Sequence, residues 1–501
     1  MTAQIKSGCI VGMQSILVNV EVDLQSGLPA FHVVGLPDTA IRESKERVRA
    51  AFKNSGFEFP MKRITVNLAP AHVKKEGSSF ELAIAVGLLM AHQKQSIDAF
   101  QKFLFLGELS LEGNVNPIRG ALPLTLSARK RGFQKVFVPK ENAKEAAMVK
   151  DMEVYGVTSF KEVILYLYGK LELIREKFED QSQEEFFLED FSQVVSQTDA
   201  KQAFEVAAAG GHDVLLVGPP GCGKSMLAKR FATILPPLSF EESLETTQIY
   251  SVAGLLNAVQ PYVARRPFRN PHHTISYGAM VGGGRYVTPG EISLAHRGVL
   301  FLDEMAEFKR DVLEVLRQPL EEKKISIRRV SGRYDYPARF ILVGAINPCP
   351  CGYDGHPKKD CRCSEAMIQS YQGKISGPLM DRIDLHVKVS SVIRAESEVK
   401  SETSQDILGR VLKARAIQKK RYENEIFQLN SDMTPSAIEE FCILNDDARK
   451  CLDQAVENFH LSYRSYHKLL KISRTVSDLK GQDKITKLDV MYALRFRFLD
   501  R

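Results

Sequence analysis

Val214-Leu-Leu-Val-Gly-Pro-Pro-Gly-Cys-Gly-Lys-Ser225 is the stretch on which the reading of this chain turns. Four apolar residues, Val214 to Val217, predict a buried parallel strand, and G-x-x-x-x-G-K-S follows at once. Met226 to Thr233 then continues as a helix. Strand, glycine loop and helix in that order form a phosphate-binding loop. Over the loop Gly218, Pro219, Pro220, Gly221, Cys222 and Gly223 the glycines let the N–H groups of the non-proline residues converge on phosphate oxygens, and the helix N-terminus adds a favourable dipole. Lys224 is placed for the β- and γ-phosphates and the Ser225 hydroxyl for Mg²⁺, so ATP with Mg²⁺ is the expected ligand pair.

Two further strands complete an ATPase constellation. Val299-Leu-Phe-Leu-Asp-Glu304 is an apolar strand ending in two carboxylates. Asp303 would hold Mg²⁺ through water, and Glu304 would polarise the attacking water. Phe340 to Ile346 is a third strand ending at Asn347, whose amide could position that water. Gly377-Pro-Leu-Met-Asp-Arg-Ile-Asp384 sets Arg382 just before a fourth strand, Leu385 to Val389. Beyond it the pattern turns helical, with helices expected over Gln405–Tyr422, Asn445–Glu457, Tyr466–Leu479 and Lys487–Phe496.

These motifs, with Pro267-Phe-Arg-Asn-Pro-His-His-Thr274 and Leu461-Ser-Tyr-Arg-Ser-Tyr466, run over nearly the whole chain. The chain resembles the YifB/ComM family of AAA+ ATPases, relatives of magnesium-chelatase motor subunits and more distantly of MCM helicases. The resemblance implies that Arg382 is an arginine finger reaching a neighbouring subunit's γ-phosphate. It implies that Arg464 is a sensor-2 arginine acting on nucleotide in its own subunit. Positive charge there suits phosphoryl transfer. A finger acting in trans implies a ring, and similar proteins form hexamers.

The 501 residues suffice for about three domains. Four are expected segments: a front α/β unit over 1–168, an acidic linker over 169–190, the ATPase core over 191–391 and a helical lid over 392–501. Glu172–Asp190 carries eight acidic and two basic residues, hence the linker. Composition (44% hydrophobic, 26% charged) is that of a soluble protein, and no secretory signal or membrane-length apolar run is seen. A cytoplasmic location is expected. The net charge of +7 is too small to argue for nucleic acid by itself.

Local charge says more. Lys323 to Arg339 reads as a β-hairpin, with Ile325 and Ile327 alternating, a turn at Ser331-Gly332, and Tyr334 and Tyr336 alternating again. Arg328, Arg329 and Arg333 lie near its tip. In the chelatase and MCM relatives a hairpin here points into the ring channel, where three arginines could meet successive phosphates of a DNA strand. The bland alternative is a solvated hairpin whose arginines pair with acidic neighbours. Val281-Gly-Gly-Gly-Arg285 reads as a second channel loop. His272 and His273 are expected to diverge and to be structural. Lys413, Arg415, Lys419, Lys420 and Arg421 read as a solvated helix face.

Four of the eight cysteines crowd together: Cys349, Cys351, Cys361 and Cys363. Their density suits tetrahedral zinc in a structural role, with His356 as a substitute ligand; without metal they would be reduced thiols. Residues 64–138 also resemble the peptidase domain of Lon. Ser79 stands at the nucleophile position, but Leu122 occupies the place of the lysine that a Ser–Lys dyad needs.

The expected protein is therefore a ring-forming, Mg²⁺-dependent DNA motor, with resemblance pointing to branch migration in recombination or transformation. A chelatase-type ATPase that remodels a protein partner is the first rival. A Lon-like ATP-dependent protease is the second, and Leu122 argues against it.

Overall fold

In the front unit, Thr2–Val11 and Gln14–Gln25 pair antiparallel from Thr2 opposite Asp23 to Val11 opposite Gln14. Alternation sends Val18, Val20 and Val22 to the buried face. The computed structural model describes residues 2–497, apart from 73, 76, 96–97, 180–188, 285–286, 330–331, 357–358 and 391–401. The hairpin is the middle of an eight-stranded mixed sheet. Phe103–Phe105, Lys135–Pro139, Glu153–Val157 and Arg175–Glu176 extend it on one side, Arg63–Ala69 and Ala30–Val34 on the other. Helix Glu81–Gln93 is buried along its length from Glu81 to Ala91 and packs on the hairpin. Each such aliphatic side chain contributes about 1.5–3 kcal/mol.

The second sheet is all parallel. Its order is Phe268–Arg269, Val299–Leu302, Ile341–Ile346, Val214–Val217, Leu385–Lys388. Parallel strands are covered on both faces, which is why they read as unbroken apolar runs. Val214, Leu216, Val299, Phe301, Val343 and Ala345 pack towards helix Thr198–Gly210 and the C-terminal helices. Leu215, Leu300, Leu302 and Leu342 pack the other way, against Val312, Leu316 and the hairpin residues Ile325, Ile327 and Tyr336. This is an α/β P-loop ATPase core of the AAA+ kind.

The lid comprises helices Ser404–Arg421, Pro435–Phe441, Asp446–Phe459, Tyr463–Leu479 and Lys487–Arg495. Thr403, Thr434, Asn445 and Ser462 cap the first four through side-chain oxygens. The basic face expected on the first helix is only partly solvated. Arg415 donates twice to the Ala208 carbonyl, and Arg421 pairs with the buried Asp478 at 2.5 Å. Arg415 ties the lid to the core, because a guanidinium can end the run of orphan carbonyls at the C-terminus of helix Thr198–Gly210, and Arg421 ties two lid helices to each other.

The acidic linker is not loose throughout. Arg175–Glu176 is an edge strand on Glu153–Val157, and the Phe178 ring packs edge-on to Phe240 and Tyr262. Residues 180–188, and the segment boundary expected at 391/392, lie outside the described residues. A seam joins the front unit to the ATPase core. Helix Ala121–Lys130 lies on helix Phe240–Ala253, the Gly120 N–H donates to the Ser251 carbonyl, and Tyr262 enters the cluster around Leu104 and Leu122.

Candidate nucleotide site and its neighbours

Three adjacent parallel strands deliver the site to the carboxyl edge of the second sheet, where such sheets bind ligands. Val214–Val217 leads into the glycine loop, and the Gly218 N–H donates to the Ile346 carbonyl. A Cβ on Gly218 would lie 2.2 Å from the Val389 carbonyl oxygen, so the loop can start only with glycine. Helix Lys224–Phe231 follows. The Lys224 ammonium donates to the Gly218 and Pro219 carbonyls (2.6 and 2.9 Å) and to Asn347 Oδ1 (3.1 Å). Burial lowers its pKa from the ordinary lysine value. A triphosphate would oppose that shift and draw the amine off the carbonyls.

The Ser225 hydroxyl donates to Asp303 at 2.5 Å. Hydroxyl and carboxylate thus converge on one point, and that donor set fits a hard divalent cation. Glu304 stands next to it, half exposed, with its backbone left-handed at φ 50°. Bound Mg²⁺ supplies charge neutralisation at the phosphates. The chain's own residues are placed for the rest: Lys224 would orient phosphate oxygens, Glu304 would take a proton from water, and Asn347 holds its amide across the loop, on Lys224.

His273 was not expected here. Strand Phe268–Arg269 lies beside Val299–Leu302, so the residues after it arrive at the same edge. His273 Nδ1 lies 3.6 Å from the Glu304 carboxylate. The two histidines do not diverge: their rings lie 4.1 Å apart, centroid to centroid, and His272 Nδ1 meets the Thr274 hydroxyl. The pattern N-P-H-H-T carries no periodicity that could reveal this contact, because only the neighbouring strand creates it.

Arg382 and Arg464 come together, but not at this loop. Both guanidiniums bind Glu321, Arg382 at 2.7 Å. Against the upward push of burial, these hydrogen bonds hold the Glu321 carboxyl below its ordinary range. The cleft around them is lined by Gly211, Asp213 and Asp384, which precede the strands, so it opens at the other end of the sheet from Lys224. Arg464 is thus engaged by Glu321, while Ser462 and Ser465 beside it line a second cleft with Val217 and Ile346 at the carboxyl ends of the strands.

The expected hairpin forms: Lys324–Arg329 pairs with Gly332–Pro337, with Arg328 opposite Arg333. Ser331 of its turn lies outside the described residues. Arg328 and Arg329 are exposed, and no ion pair engages them among the described residues. Arg333 is bound to Asp335 at 3.0 Å and to Ser326, as the bland reading has it. The Arg329 guanidinium lies on Gly283, so the glycine loop borders the hairpin tip; Arg285 falls outside the described residues.

All four clustered cysteines gather. Their sulfurs lie within 4.8 Å of one another, with Cys349, Cys351 and Cys361 separated by 3.3–3.6 Å. His356 is not among them; its Nδ1 accepts from the Lys359 N–H. At the Lon-like position, Ser79 is buried and donates to the Gly8 carbonyl at 2.8 Å, while Leu122 is wholly buried in the apolar cluster at the seam. Lys75 is buried too and donates to the Pro70 carbonyl. No general base meets the Ser79 hydroxyl among the described residues.

Models of the magnesium chelatase subunit ChlI match residues 20–142 and 190–397, and the model of its C-terminal part matches 401–497. Competence protein ComM of Haemophilus influenzae is 39% identical over 509 residues, covering 100% of this chain and 98% of that protein. The chain belongs to the YifB/ComM family. YifB of Escherichia coli, an uncharacterised protein, is 39% identical over 495 residues, covering 98% and 96% of the two chains. A local likeness of the YifB/ComM chain to Lon protease of Mycoplasma mobile, 30% identical over 120 residues, covers 23% of this chain and 14% of that protein. No helix among the described residues is long and apolar enough to cross a membrane.

Proposed function

We propose that this chain is a Mg²⁺-dependent ATP hydrolase that works as a ring, and that the ring moves DNA strands, promoting branch migration during recombination or uptake of transforming DNA. The observation that carries the reading is the convergence of Lys224, Ser225, Asp303, Glu304 and Asn347 at one sheet edge, with Arg382 held at the opposite edge. One subunit supplies the phosphate loop and its neighbour supplies the finger. A ring, hexameric as in similar proteins, is what allows every subunit to do both.

The DNA part rests on the exposed pair Arg328 and Arg329 at the hairpin tip, and on the printed name of the H. influenzae relative, a competence protein. ATP turnover should rise on adding single-stranded or forked DNA at low salt, and should not respond to unfolded protein. Stimulation by a protein partner alone would favour the chelatase-type reading. The protease reading has the buried Ser79 and Leu122 against it.

A further inference from the structure

The cysteine quartet has the dimensions of a metal site. Four thiolates around zinc at about 2.3 Å place sulfurs about 3.8 Å apart, close to the separations seen. A disulfide would need about 2.05 Å, and all eight cysteines are free. The Asp354 N–H points at the Cys349 sulfur at 3.3 Å, the kind of outer hydrogen bond that orients a thiolate ligand. Cys349 is fully buried. With four protein ligands the site would be closed to substrate, hence structural.

Its position gives it a use. Cys349 is two residues beyond Asn347, whose amide accepts from Lys224. The loop then turns at Gly352 (φ +81°), where a Cβ would come within 2.5 Å of the Pro220 ring in the phosphate loop. Cys361 and Cys363 lie just before helix Glu365–Gln372, and the Gln372 amide donates to the Pro348 carbonyl at 3.1 Å. The quartet thus staples the exit of the Asn347 strand to the helix leading to Arg382, and its loop leans on Pro220.

We propose that Cys349, Cys351, Cys361 and Cys363 hold a zinc ion whose closed loop braces the phosphate loop through Gly352 and Pro220, so that nucleotide affinity follows metal occupancy. The inference rests on the nucleotide reading of Lys224 and Ser225. Loss of zinc, or oxidation of the thiols, frees the loop and loosens the wall behind the phosphates.

The test uses full-length protein purified without oxygen. Zinc is expected near one atom per chain. Removing it with a chelator should weaken binding of a fluorescent ATP analogue about tenfold and re-addition should restore it; thiol reagents are avoided because Cys222 lies in the phosphate loop. Far-UV circular dichroism reports whether the fold survives. Cys361→Ser with Cys363→Ser, remote from Pro220, should behave as the stripped protein does. Gly352→Ala should keep its zinc and still lose affinity. Zinc below about a tenth of an atom per chain overturns the site, given the affinity of structural zinc. Stripped, folded protein that binds nucleotide as tightly as loaded protein overturns the brace. Zinc-loaded protein that binds no nucleotide overturns the nucleotide reading and the brace together, leaving the metal site standing.

Discussion

Glu304 combines an acidic side chain with a left-handed backbone, a conformation that costs a non-glycine residue about 1–3 kcal/mol and is found where a site demands it. Its carboxylate lies 3.6 Å from His273 Nδ1, while its N–H donates to Asp303 Oδ1. A base in this position must point at water without ligating the cation. His273, 3.6 Å from the carboxylate, would hold it there as a positioning residue once the site closes enough for an imidazole N–H to donate. His273→Ala should therefore leave binding of an ATP analogue unchanged and lower turnover about ten- to a hundredfold. His273→Asn, which can still donate, should recover part of the loss. Equal turnover in wild type and His273→Ala would leave the contact without a role. Glu304→Gln should bind nucleotide and not turn it over, measured by the same pair of assays.

At the level of elements, the β-hairpin is anchored by its base. Ile325, Ile327 and Tyr336 are buried in the core, and the Tyr336 hydroxyl donates to the Val287 carbonyl at 2.6 Å. Arg328 and Arg329 are exposed and make no ion pair among the described residues, so removing them should cost little stability. Arg328→Ala and Arg329→Ala should each lower the slope of log affinity for single-stranded DNA against log salt by about one. Arg333→Ala should change it less, because Asp335 already neutralises that charge. An unchanged slope in the first two variants would return the hairpin to a solvated surface. This hairpin was legible in the sequence because alternation and a glycine turn are local signals. So were the parallel strands, whose two-sided burial demands unbroken apolar runs. The strand Thr2–Val11 was not: Ser7 and Gly8 interrupt its pattern, and it is made a strand by its long antiparallel partner. Arg415 and Arg421 looked solvated because helical spacing records charge, not the carbonyl or aspartate that another helix brings to meet it. The pairing of Arg464 with Glu321 is hidden for the same reason, since no spacing in Leu461–Tyr466 tells which acid another helix brings to it.

In the proposed ring the molecule as a whole has two joints, one between subunits and one within the chain. At the first, the finger and the phosphate loop lie at opposite sheet edges, so subunits lacking one or the other should complement. Arg382→Ala alone should cut turnover about a thousandfold, and Lys224→Ala should abolish nucleotide binding. Mixed together, they should regain measurable turnover, read as phosphate release over a range of mixing ratios; no recovery at any ratio would refute the shared pocket. The second joint is the seam between the front unit and the ATPase core. There Glu145 is buried, its carboxylate accepting from Asn142 at 2.6 Å and lying near Ser251 of the core helix Phe240–Ala253. Burial pushes its pKa up from 4.5 to about 7. The folded protein therefore holds this proton more tightly than the unfolded chain does. The stabilisation is complete below about 4.5 and is lost as pH rises through about 7, a change of about 3 kcal/mol. Glu145→Gln keeps the shape and removes the titration. Asp213, pushed up to about 7 by its own burial in the core, titrates in the same window in both proteins and cancels in the comparison. The wild type should thus lose more melting temperature between pH 5 and pH 8 than Glu145→Gln does, followed by calorimetry at matched ionic strength. Parallel curves would mean that Glu145 already carries its charge in the folded seam.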